Sequence, residues 1–114
     1  MPFINVKTNI NIDNRKEIEI KEELGKLIEI IPGKSESWLM VNIEDNSKLY
    51  FKGSTKEANL FVEVKIYGNV SSTNLNRFTE AATNKFNAIL GISKDRMYFK
   101  YELVDNWGWN GNNF

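Results

Sequence analysis

The feature that most restricts this chain is a pattern that occurs twice in 114 residues: an alternating stretch, a helical stretch and a second strand-like stretch. The chain opens Pro2-Phe3-Ile4-Asn5-Val6-Lys7-Thr8. Ile4 and Val6 share a face with Pro2, while Phe3, Asn5 and Lys7 lie opposite, which is the period of a strand. Proline suits a strand's first position because it need not donate to the ladder there. Asp13-Asn14 offers a helix cap before Arg15. Ile20, Leu24, Leu27, Ile28 and Ile31 then fall on one helical face. Gly25 counts slightly against that helix, and Pro32-Gly33 ends it. Trp38 to Ile43 reads as a second strand, buried on much of both faces. Asn46-Ser47 marks a turn, and Leu49-Tyr50-Phe51 offers a short further strand before Gly53-Ser54.

The pattern then restarts. Leu60, Val62, Val64 and Ile66 alternate with Phe61, Glu63, Lys65 and Tyr67. Ser71-Ser72-Thr73 can cap a second helix, whose apolar face is Leu75, Phe78, Ala82, Phe86 and Ile89, and Gly91 ends it. Met97 to Leu103 is the closing strand, and the tail from Asn106 to Phe114 is aromatic and turn-rich. Two strand–helix–strand units predict an α+β fold with an α/β two-layer arrangement. One domain, 1–114, would hold a four-stranded sheet with both helices on a single face. Each parallel pair joined through a helix needs a right-handed crossover. The other sheet face would be bare and partly apolar in a monomer, so an oligomer is expected.

Composition narrows the chemistry. With 41% hydrophobic residues the chain can bury one core and not two. Lysine plus arginine and aspartate plus glutamate number 15 each, so there is no electrostatic reason to expect nucleic acid or an anionic membrane as partner. Cysteine and histidine are absent, which excludes disulfides, thiol nucleophiles, zinc–thiolate sites and imidazole catalysis. No acidic cluster has calcium-loop spacing, and no cofactor is expected. Proton chemistry must come from Asp, Glu, Lys, Tyr or the amino terminus. No run approaches the roughly 20 apolar residues of a membrane helix. The opening lacks a secretory leader, which predicts a cytoplasmic location and makes the Asn69-Val70-Ser71 sequon a chance match.

At this point the residues resemble a known family. The opening Met1 to Asn9, Gly33-Lys34 after the first helix, Phe51-Lys52-Gly53-Ser54, Ile92 to Tyr98 and the closing Gly108-Trp109-Asn110 are similar to landmarks of macrophage migration inhibitory factor and D-dopachrome tautomerase. The resemblance spans nearly the whole chain. It implies a homotrimer whose sheets form a barrel-like channel, with pockets where subunits meet. It also implies a cofactor-free isomerase acting on small aromatic 2-keto acids, by keto–enol tautomerisation of phenylpyruvate-like or dopachrome-like compounds. The family also includes cytokine-like proteins, some released by unconventional routes. The alternative expectation is therefore a secreted ligand for a receptor protein, with a weak or vestigial active site.

Residue by residue, the resemblance makes Pro2 the catalytic base once Met1 is removed. Many chains begin Met-Pro simply because a small second residue permits methionine removal, so Pro2 gains meaning only from the whole-chain match. Its chemistry is sound: burial disfavours a protonated secondary amine, and a neutral amine can take a proton from carbon beside a carbonyl. Lys34 would bind the substrate's carboxylate or carbonyl oxygen and stabilise the enolate-like transition state; otherwise it is a solvated loop lysine. Ile66 matches a position whose backbone meets substrate, and it also suits the core. Lys65 beside it either adds charge to the rim or is a solvated strand lysine. Tyr98 matches a pocket tyrosine supplied by the neighbouring subunit. Trp38, Trp107, Trp109 and Phe114 would form an aromatic wall, with plain packing an equal reading for Trp109.

Three positions depart from the family pattern. Lys100 stands where the mammalian cytokine has asparagine, and a second lysine would lower the pKa of the base further. Trp107 stands where a smaller apolar residue is usual. Ala58-Asn59-Leu60-Phe61 stands at the cytokine's Cys-x-x-Cys, so no thiol–disulfide chemistry is possible.

Overall fold

The computed structural model describes residues 1–114. Strand β1 (Pro2–Thr8) leads through helix α1 (Asn14–Leu27) to β2 (Met40–Glu44). Strand β3 (Leu60–Tyr67) leads through α2 (Ser72–Leu90) to β4 (Met97–Val104), and a two-stranded tail follows, β5 (Gly108–Trp109) and β6 (Asn112–Asn113). The main sheet has the order β2-β1-β3-β4. Each strand–helix–strand unit is a parallel pair, and the two units join antiparallel through β1 and β3. The expected two-layer α+β fold is therefore the observed one.

The core lies between the sheet and the two helices. Ile4 and Val6 of β1, Leu60, Val62, Val64 and Ile66 of β3, and Ile20, Leu24, Phe78, Ala82 and Phe86 of the helices form one buried cluster. Full burial of such aliphatic and aromatic side chains contributes about 1.5–3 kcal/mol each. β1 and β3 are the central strands, which explains why their inward residues are the most completely buried.

Both helix starts follow the expected chemistry. The Asp13 carboxylate accepts from the Lys16 amide at 2.9 Å, and the Ser71 hydroxyl accepts from the Asn74 amide at 3.2 Å. Gly91 ends α2 with φ +68°, a left-handed position that costs other residues strain. Ser71→Ala should lower stability by about 1 kcal/mol, read from the urea midpoint at unchanged slope. Gly25 has a packing reason as well. The Glu36 carboxyl group occupies the space where a β-carbon would stand.

Several expectations need correction. β2 begins at Met40, not Trp38, and Trp38 belongs to a 3-10 turn over Glu36–Trp38. Nor is β2 buried on both faces: it is an edge strand, and Met40 is 68% exposed. Helix α1 gives way to a 3-10 turn at Ile28–Ile30, although Ile31 stays fully buried. Leu49–Phe51 joins no sheet. Phe51 pairs only with Ser54, across a tight turn.

What holds that segment is a polar hub. Asn59 is 1% exposed. Its side chain donates to the carbonyls of Leu49 (2.9 Å) and Ser54 (3.2 Å) and accepts from Arg96 Nε (2.8 Å). Its backbone amide donates to Asn9 Oδ1, and its carbonyl accepts from the Thr8 hydroxyl. Arg96 also pairs with Glu57 at 2.9 Å and donates to the Phe51 carbonyl. The long connection 45–59 is thereby pinned to β1 and to the start of β4.

The bare sheet face is less apolar than expected. Across its middle the register aligns Asn42, Asn5, Glu63 and Lys100. Asn42 donates to Asn5, Asn5 donates to Glu63, and Lys7 pairs with Glu63 at 3.3 Å. Exposed apolar side chains sit instead at the two sheet edges: Trp38 and Met40 beside β2, and Tyr50 and Tyr98 beside β4.

Candidate active site

The amino terminus is part of the sheet. Pro2 is buried and stands opposite Ile66, which is itself fully buried. One residue earlier, the Met1 carbonyl accepts from the Tyr67 amide at 3.2 Å, so the pairing continues to the chain's first residue. Lys34 arrives from the loop that Pro32-Gly33 creates after α1. Its ammonium donates to the Tyr67 carbonyl at 3.0 Å, and the Tyr67 amide holds the Met1 carbonyl, so Lys34 stands close to the terminal amine. Burial lowers that amine's pKa below its ordinary value, and the nearby Lys34 lowers it further. While Met1 is attached, the amine belongs to Met1 and the Pro2 nitrogen is an amide without basicity.

Aromatic rings crowd the same end of the sheet. The Tyr67 ring packs on Phe114 with centroids 5.5 Å apart, Phe114 stacks on Trp109 at an interplanar angle of 8°, and Trp109 meets Trp38 edge-on at 5.1 Å. The β5–β6 hairpin makes this possible, and the Phe114 amide donates to the Trp107 carbonyl at 3.0 Å. Trp109 and Phe114 are each about half exposed, at 51% and 52%, so the wall has an open side.

Of the residues singled out in the sequence, Pro2, Lys34, Ile66, Trp38 and Phe114 thus come together, with Trp109. Trp107 contributes its backbone to the hairpin, while its ring makes none of the aromatic contacts. Lys65 lies on the opposite sheet face from Ile66, next to Phe3 and Glu102 in register. Tyr98 and Lys100 are elsewhere in the chain. Tyr98 stands opposite Phe61, five positions along β3 from Ile66, which at strand rise is about 17 Å away. Its ring packs edge-on against Phe51 at 5.1 Å beside a small cavity of about 80 Å³ lined by Leu49, Leu60 and Arg96. Lys100 is on the bare face, paired with Glu102 at 3.3 Å.

Sequence reasoning missed Tyr67, whose carbonyl holds Lys34 and whose ring anchors Phe114. Its only signal was the outward position next to Ile66. Asn59 and Arg96 were missed as well. No local pattern marks them, because their partners lie 51 and 37 residues away in the chain.

The arrangement offers an amine of lowered basicity, a lysine beside it and an aromatic wall open to solvent. Such a group of parts can take up an anionic aromatic compound and move a proton on it.

Comparison with known proteins agrees with this fold. The family model described as macrophage migration inhibitory factor matches residues 1–114. A macrophage migration inhibitory factor homolog of Trichinella spiralis is 31% identical over 116 residues, covering 100% of both chains. The structure of Leishmania major MIF2 superposes with a TM-score of 0.91 at 26% identity, covering 100% of this chain and 97% of the other. A macrophage migration inhibitory factor homologue from Prochlorococcus marinus matches with a TM-score of 0.80 at 28% identity, covering 98% of each chain.

Proposed function

Because the chain belongs to the macrophage migration inhibitory factor family, within the tautomerase superfamily, we propose that it is a cofactor-free keto–enol tautomerase whose base is the Pro2 nitrogen after Met1 is removed. The observation that carries this reading is the placement of Lys34, which is held at the Tyr67 carbonyl beside the amino terminus. Removal of Met1 leaves Pro2 as the terminal amine in the same corner, one residue deeper and buried. The forces acting on the Met1 amine, burial first and Lys34 second, act on the proline amine in the same direction. A neutral secondary amine then takes the proton from the carbon next to the substrate's carbonyl and returns it at the other end of the enol system. Lys34 stabilises the negative oxygen that forms. The substrate class is a small aromatic 2-keto acid such as phenylpyruvate, with its ring against Phe114, Trp109 and Trp38.

The site is completed by a second copy of the chain. The two apolar edge patches, Trp38–Met40 and Tyr50–Tyr98, are different surfaces on opposite edges. Two different complementary patches favour head-to-tail contacts that close into a ring, here a homotrimer. In such a ring the β4 edge of one copy, bearing Tyr98 and Lys100, approaches the site of the next. The polar bare face, already satisfied by its own hydrogen bonds, stays hydrated.

Lys34→Met is the direct test of the lysine's role. It should lower kcat/KM for phenylpyruvate by about 10²-fold, with circular dichroism and oligomer size unchanged. A variant with wild-type kcat/KM would remove Lys34 from the mechanism. No helix is long and apolar enough to cross a membrane.

A further inference from the structure

We propose that the chain still carrying Met1 is a second chemical form of this site, in which the Met1 primary amine condenses with the carbonyl carbon of a 2-keto acid to form an imine. The inference rests on the pocket described above for recognition of the keto acid. It does not rest on Pro2 acting as a base.

The geometry supplies what such a reaction needs. Met1 is tied down because its carbonyl accepts from the Tyr67 amide, so its amine is presented at a defined place rather than on a loose end. Lys34 is fixed at 3.0 Å from the carbonyl of Tyr67, the same residue whose amide holds Met1, which places one cation near that amine where a 2-keto acid's carboxylate would sit. The rings of Tyr67, Phe114 and Trp109 stand at the same end of the sheet. Burial and Lys34 also leave a larger share of the amine unprotonated near neutral pH. Exposed lysines such as Lys26, with 75% of its side chain accessible, have no such enclosure and remain strongly hydrated.

The step balances without a redox partner. The amine lone pair attacks the carbonyl carbon, a C–N bond forms, and the carbonyl oxygen takes a proton from the Lys34 ammonium. The second C–N bond forms as that oxygen leaves as water. Over the whole step the amine gives up two protons and the keto acid gives up its oxygen, and Lys34 ends as it began. The processed chain cannot reach the same product, because a secondary amine forms no neutral imine. Removal of Met1 would thus leave the cationic iminium as the only condensation product open to the terminal amine.

The full chain with Met1 retained, verified by intact mass, is incubated with phenylpyruvate and cyanoborohydride, and the reduced adduct is located by peptide fragmentation. The expected result is an adduct at the Met1 nitrogen in about tenfold excess over any lysine, falling by about tenfold in Lys34→Met. Labelling spread evenly over the lysines, labelling that omits Met1, or Met1 labelling indifferent to Lys34→Met overturns the proposal. The processed chain is assayed for tautomerisation in parallel. An active processed chain without a Met1 adduct rejects only the imine, and an adduct beside an inactive processed chain rejects only the Pro2 base.

Discussion

Replacing Pro2 by glycine in the processed chain should lower phenylpyruvate tautomerisation by about 10²-fold or more, the scale of a positioned general base. Glycine keeps a terminal amine, so the loss reports what the proline ring does. The ring makes the amine secondary, and it fixes φ so that the nitrogen stays in the sheet opposite Ile66. The chain that retains Met1 is a second arm of the same experiment. Its Pro2 nitrogen is an amide, and its activity should fall at least as far. The pH profile gives an independent readout. Burial and Lys34 lower the pKa of the Met1 amine, and on the proposed reading the same two influences act on the Pro2 amine once Met1 is removed, leaving it neutral at a pH where an ordinary terminal amine is still protonated. The rising limb of kcat/KM should therefore lie below the usual amine range, and Lys34→Met should move it upward. A processed, folded wild-type chain with no activity would reject the enzymatic reading and turn attention to a binding role for the same surface.

The second large effect is structural. Asn59→Ala should lower stability by about 3 kcal/mol, because it leaves the part-buried Leu49 and Ser54 carbonyls and Arg96 Nε without the partner they share. For a domain of this size, that corresponds to a drop in Tm of about 12 °C or more, compared at equal protein concentration because assembly would otherwise shift it. The damage should concentrate in the 45–59 connection and around Tyr98, since Arg96 also holds the Phe51 carbonyl and Phe51 packs on Tyr98. Hydrogen exchange would show faster exchange there than in α1 or α2. A loss under about 1 kcal/mol would mean that water satisfies the orphaned groups and that the hub is not structural.

Much of the fold was legible because its signals are local. The alternation in Pro2–Thr8 and Leu60–Tyr67, the caps Asp13 and Ser71, and the stop at Gly91 each depend on neighbours within a few residues. β2 was misread because Trp38-Leu39-Met40-Val41 is apolar throughout. Such a run suits a buried strand, but here it serves an edge strand with exposed Met40. Leu49–Phe51 has strand-like residues but no partner strand in its own chain, and β pairing is decided by the partner. The site was legible in part for a related reason. Pro2 and Lys34 are marked by whole-chain resemblance, whereas Tyr67 acts largely through its carbonyl, which every residue has.

The sequence by itself determined the two strand–helix–strand units and the absence of thiol and imidazole chemistry, and only its resemblance to a family pointed to the amino terminus as the place to look for a base. Periodicity and composition are local properties. Only the tertiary structure decided that Lys34 meets Tyr67, that Asn59 gathers Arg96 with two distant carbonyls, and that the bare sheet face is polar in its middle and apolar at its edges. Those facts follow from strand order and register, which bring together residues far apart in the chain.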